Sequence, residues 1–102
     1  MGKTIDIKFG ENKSDTFVKV DKTEYNLGRP FKISIEDEGE ISSLTFAYEE
    51  KRYLNKYLET LSSISSELGF SSCLGSPEIG MEKTMYSIDL KKEVSIQTKL
   101  IK

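Results

Sequence analysis

The stretch EEKRYLNKYLETLSSISSELGF, residues 49–70, decides the fold. Leu54, Tyr57, Leu58, Leu61, Ile64 and Leu68 recur at the i, i+3, i+4, i+7 spacing that lines one face of a helix. This predicts one principal helix over about 49–68. Gly69 suits the left-handed conformation that ends a helix, and Phe70 is placed to fold back on the last turn.

On both sides of this stretch the apolar period changes to two. Ile5, Ile7 and Phe9 alternate with Thr4, Asp6 and Lys8, as in a strand with one buried face. Gly10 to Asp15 reads as a turn, and Val18 and Val20 continue in a second strand. Residues 21–28 are ambiguous: Tyr25 and Leu27 alternate, while Asn26, Gly28 and Pro30 mark a break. Phe31, Ile33 and Ile35 then face one way, and Leu44, Phe46 and Tyr48 make the return strand. Leu44, Ala47 and Tyr48 also fit a helix capped at Ser43, but Thr45-Phe46 favours the strand. After the helix, residues 71–80 read as a Ser/Gly/Pro loop. Tyr86, Ile88, Leu90, Val94, Ile96 and Leu100 share parity over a reach longer than one ordinary strand. A hairpin turning at Lys91-Lys92-Glu93 keeps both apolar sets on one face. The predicted architecture is an α+β single domain over residues 1–102. An antiparallel, curled sheet of five to six strands packs on the helix, in the order ββββαββ.

That picture has too much apolar sheet for its helix. About seventeen strand side chains face inward, against six or seven on the helix. Six strands span roughly 25 Å, while a helix is about 10 Å across and covers two or three of them. The sheet must curl onto itself, or a second subunit or a partner must bury the remainder. The expectation is a curled sheet with a homodimer contact.

Composition narrows the function by exclusion. A 102-residue chain is long enough to bury about two-thirds of its unfolded surface without metal or disulfides. The one cysteine, Cys73, has no internal disulfide partner and reads as a small apolar filler. The first residues have no apolar core of the signal-peptide kind, and no run approaches the roughly 18 apolar residues of a membrane span. A cytoplasmic protein with no membrane partner is expected. The absence of histidine removes Ser-His-Asp and Cys-His catalysis and His-containing metal sites, and no Gly-rich stretch ends in the Lys-Ser/Thr of a phosphate loop. No catalytic residue, metal ligand or cofactor is therefore assigned, and the chain reads as non-enzymatic.

The charge pattern is more informative than the net charge of −2. Residues 35–50 carry Glu36, Asp37, Glu38, Glu40, Glu49 and Glu50 with no basic residue, the strongest local bias in the chain. Arg52 and Tyr53, types enriched at interface centres, follow directly. Ser62, Ser63 and Ser66 leave the second half of the outer helix face flat, open to close approach by another backbone. Arg29, between Gly28 and Pro30, sits on a turn within reach of a carboxylate or phosphate. Scattered lysines and a pI near 5 argue against nucleic acid. The reading is a protein–protein interaction module of the inhibitor, immunity or adaptor kind, binding a basic partner through Glu36, Asp37, Glu38, Glu40, Glu49, Glu50, Arg52 and Tyr53. The alternative is a small-ligand binder, for a nucleotide or other metabolite, with a pocket between sheet and helix or at a dimer seam.

Overall fold

The computed structural model describes residues 3–10, 15–68, 71–75, 84–91 and 93–101. The expected helix stop at Gly69 and Phe70, the turn over 11–14, the loop over 76–80 and the side chain of Cys73 lie outside the described residues.

Among the described residues, eight strands and two consecutive helices follow the chain as β1 (Thr4–Gly10), β2 (Phe17–Val20), β3 (Thr23–Asn26), β4 (Lys32–Glu38), β5 (Ile41–Tyr48), α1 (Lys51–Lys56), α2 (Leu58–Leu68), β6 (Ser71–Gly75), β7 (Thr84–Lys91) and β8 (Ser95–Ile101). The class is α+β, as the periodicities predict, with antiparallel pairing dominant. The strands divide over two four-stranded sheets. The first runs β3-β2-β1-β8 and the second β4-β5-β7-β6.

Each sheet is built from the alternation of its central strands. Ile5 and Ile7 of β1 pair with Val20 and Val18 of β2, and all four are buried. Leu44, Phe46 and Tyr48 of β5 share the inward face of the second sheet with Tyr86, Ile88 and Leu90 of β7. Against both lies one stripe of the helix: Leu54, Leu61, Ile64 and Leu68. These residues and Leu27 form a single hydrophobic cluster. At about 1.5–3 kcal/mol for each large side chain removed from water, this shared core is the main favourable term in folding.

Much of the apolar surplus is buried within the chain, where residues of both sheets and the helix join one cluster, while Phe31, Ile35 and Ile41 stay exposed. The expected hairpin over 84–101 does not form. The break does fall after Lys91, but β7 pairs with β5 and β6, while β8 crosses to the first sheet and pairs parallel with β1, Ile5 opposite Ile96. No glycine stands at Lys91-Lys92-Glu93 to make a tight turn, and the free edge of β1 offers the alternating strand a partner. Residues 71–75, expected as part of a loop, are strand β6 on β7. Serine and glycine are weak strand formers, so here pairing overrides local propensity. The ambiguous 21–28 stretch contains β3.

The helix steps at Tyr57. Its amide bonds the Leu54 carbonyl three residues back at 2.9 Å, and its φ of −110° lies outside the helical range, before α2 resumes at Leu58. Toward the end of α2, Lys3 Nζ donates to the Glu67 carbonyl at 2.8 Å and Tyr25 Oη to Glu67 Oε2 at 3.3 Å, tying the first sheet to the helix. Among the described residues no helix is long and apolar enough to cross a membrane.

Candidate functional site

The six carboxylates that crowd residues 35–50 are not one patch. Glu36, Asp37, Glu38 and Glu40 sit at the tip of the β4–β5 hairpin, and Glu49 and Glu50 follow the other end of β5. An eight-residue strand at about 3.4 Å per residue sets the two groups roughly 25 Å apart.

The tip is a two-residue turn. Glu38 pairs with Ile41, and Gly39 takes φ 63°, in the left-handed region. Ser42 Oγ donates to Asp37 Oδ1 at 2.6 Å and fixes that carboxylate against the hairpin. Glu36, Glu38 and Glu40 project into solvent. Beside them the hairpin and the residue that leads into it run beyond the core: Ile35 is 40% exposed, Ile41 39% and Phe31 43%. Sequence periodicity places Phe31 and Ile35 on the inward face; Ile35 lies there in register opposite Leu44, but β4 is an outermost strand and both side chains are partly exposed.

At the opposite end of β5, Glu50 accepts from Arg52 Nε, Arg52 Nη2 donates to the Tyr53 hydroxyl at 3.0 Å, and the guanidinium carbon lies 4.8 Å from the Tyr53 ring centroid. This is a solvent-facing cluster at the start of α1. Ser62, Ser63 and Ser66 are exposed on α2, with Ser63 Oγ turned back onto the Glu59 carbonyl at 3.0 Å. Helix α2 packs on β6 and β7, on the far side of the second sheet from β4. The structure therefore distributes the sequence-derived residues over three separate surfaces.

It also builds a cleft that sequence reasoning found only in part. Asp15, Gly28, Arg29, Tyr48, Glu49, Tyr53, Lys56 and Tyr57 line an open cleft of about 590 Å³ where α1 meets the ends of the sheets. The backbone around it is pinned. Asn26 Oδ1 accepts from the Gly28 amide at 2.7 Å, while Asn26 Nδ2 donates to Asp15 Oδ2 at 3.0 Å. Thr16 N donates to Gly28 O and Leu27 N to Thr16 O. Arg29 Nε reaches Asp15 Oδ1 at 3.2 Å, the carboxylate its turn position anticipated. The Asn26 bond first, then Arg29, holds the Asp15 carboxyl below its ordinary range.

Gly28 has φ 67°, and a Cβ there would stand 2.5 Å from the Tyr57 ring. The step in the helix sets that ring on the glycine. Tyr57 in turn stacks on Tyr48, ring centroids 6.0 Å apart and 17° from parallel. Tyr48 is buried and donates its hydroxyl to the Leu27 carbonyl at 2.6 Å. Burial pushes its phenol well above the ordinary tyrosine range. Gly28 was legible as a turn residue; its packing on Tyr57 joins positions 29 apart, which no local pattern reports.

Among the described residues no group of three or more Cys, Asp or Glu side chains is placed to hold a metal ion. The cleft offers rings to stack on and both signs of charge, which suits binding. Comparison with known proteins returned no match: no family model, no curated protein and no solved structure is similar to this chain.

Proposed function

We propose that the chain is a protein-binding module that engages a basic partner through the β4–β5 hairpin. One observation carries the reading: Ile35 on the outermost strand β4 and Ile41 at the start of β5 stand exposed beside Glu36, Asp37, Glu38 and Glu40. Exposed apolar side chains bordered mainly by carboxylates suit an interface, where burial supplies affinity and charge supplies approach and selectivity. The absence of histidine and of a recognisable catalytic motif supports a role in binding, of the inhibitor, immunity or adaptor kind. Glu49, Glu50, Arg52 and Tyr53 belong to a different face and are secondary contacts on this reading.

The test is affinity capture with three forms of the protein. Reversal of Glu36, Asp37, Glu38 and Glu40 to lysine should abolish retention of a partner that the wild type holds. Reversal of Glu49 and Glu50 should leave it, with circular dichroism confirming that both variants fold. Equal retention by the hairpin variant removes the hairpin from the account.

The cleft supports a second reading, the binding of a small ligand. Its size falls within the range of about 300–1,000 Å³ usual for such sites, and Arg29, Lys56, Tyr53 and Tyr57 supply charge and stacking surface. Native mass spectrometry tests it: a bound mass lost on Tyr57→Ala supports a ligand site, and a bare chain opposes it.

A further inference from the structure

We infer that the hairpin holds its partner by strand addition, a basic extended segment pairing along the outer edge of β4; the inference rests on the hairpin being the binding surface. Four features of β4 converge on this occupant. It is an edge: among the described residues no strand pairs with its outer side, so alternate backbone N–H and C=O groups over Lys32–Glu38 point away from β5. Its seven residues, about 23 Å at the usual rise, are enough to seat a peptide strand. Its core-side face carries Ile33, partly buried, and Ile35, exposed, an apolar row that stops at the edge and that one more strand would continue. The opposite face carries Ser34, Glu36 and Glu38, all free of basic neighbours along the strand after Lys32.

The charge selects among possible strands. β4 carries Lys32 against Glu36, Asp37 and Glu38, a net −2. A second copy of β4 brings the same excess, so self-pairing gathers −4 along one ladder, whereas a basic strand neutralises it. A segment alternating apolar with Lys or Arg continues the Ile33–Ile35 row on one face and meets Glu36 and Glu38 on the other. Main-chain bonds give such a complex its affinity and the alternate side chains its selectivity. The carboxylates thus protect the edge from its own kind and leave it open to a basic strand.

The test uses synthetic fluorescein-labelled peptides with the full chain, read by anisotropy. One alternates valine and lysine; a second alternates valine and glutamate; a third has the side chains of the first with its backbone amides methylated. The valine–lysine peptide should bind at least about tenfold more tightly than either other, and hydrogen exchange over residues 32–38 should slow when it is present. Glu36→Gln with Glu38→Gln, which conserves shape, should weaken it, and Glu36→Lys with Glu38→Lys should weaken it further. Equal binding of the methylated peptide overturns strand addition and leaves the hairpin as a charged surface, the proposed function intact. No binding of the valine–lysine peptide also overturns it, and captured partner retained only by an unreversed hairpin then upholds the function alone. Binding unaffected by both pairs of substitutions overturns it, and a β4-mediated dimer in the absence of peptide does so as well.

Discussion

Strand β5 ends in two different environments. At Ile41 it emerges from the core into a two-residue turn, with four carboxylates in water and isoleucines uncovered. At Tyr48 it closes into a tightly tied region, where one ring stacks on another, that ring lies on a glycine, and a phenol bonds a buried carbonyl. Each end has a glycine in the left-handed region, Gly39 at φ 63° and Gly28 at φ 67°. Nothing lies within 4 Å of the position a Cβ would take on Gly39, whereas on Gly28 it meets the Tyr57 ring. The same backbone geometry serves a solvent-facing turn at one end and a packing contact at the other. Conformation alone does not reveal which positions carry stability.

The largest expected effect separates those two glycines. Gly39→Ala should cost about 1 kcal/mol, the strain of a left-handed alanine. Gly28→Ala adds the displacement of Tyr57 and should cost about 2–4 kcal/mol. Urea denaturation of the two variants checks this, and equal midpoints would break the contrast.

Next in size is Tyr48→Phe, which orphans the Leu27 carbonyl and should cost about 1–3 kcal/mol. It also sharpens the contrast through pH. The folded state keeps the Tyr48 phenol neutral, while the unfolded chain ionises near the ordinary value of about 10. Stability from this group is complete below that pH and declines above it, so the phenylalanine variant should show a shallower alkaline loss of Tm.

A smaller effect belongs to the acid side. Asp15 ionises more readily when folded than when unfolded, so its contribution is present above the ordinary carboxylate value and fades as pH falls below it. Asp15→Asn should flatten the decline in Tm below about pH 4. Smallest of all, Glu38→Gln and Glu40→Gln at the exposed tip should move stability by less than about 0.5 kcal/mol. A larger loss there would mean that the tip is part of the framework.

What was legible in the sequence follows from the range of the interactions. Helical period over 54–68 and alternation in β1, β4, β5 and β7 are local, and these elements stand where the periodicity places them. Partner choice is not local. Nothing in Ser95–Ile101 tells which sheet it joins or in which direction, because a parallel and an antiparallel strand share the same alternation. β6 escaped because its serines and glycine carry no strand signal of their own. Of the candidate site, the carboxylates and their exposure were legible, but their splitting into two groups required knowing that β5 is one uninterrupted strand. The cleft rests on Asp15, Gly28 and Tyr57, which only the fold brings together.

The crossing of β8 to β1 has a consequence for how the chain reaches this state. Thr4 pairs with Ser95, and Ser95 N bonds the Lys3 carbonyl at 2.9 Å, so the first sheet joins positions 91 apart. Closing so long a loop costs more entropy than any pairing in the second sheet, all of which lies between Lys32 and Lys91. The second sheet and its helix are able to assemble first, during synthesis as well as in refolding. Until β8 arrives, β1 presents Ile5 and Ile7 on an open edge, the interval in which the young chain is most prone to aggregate.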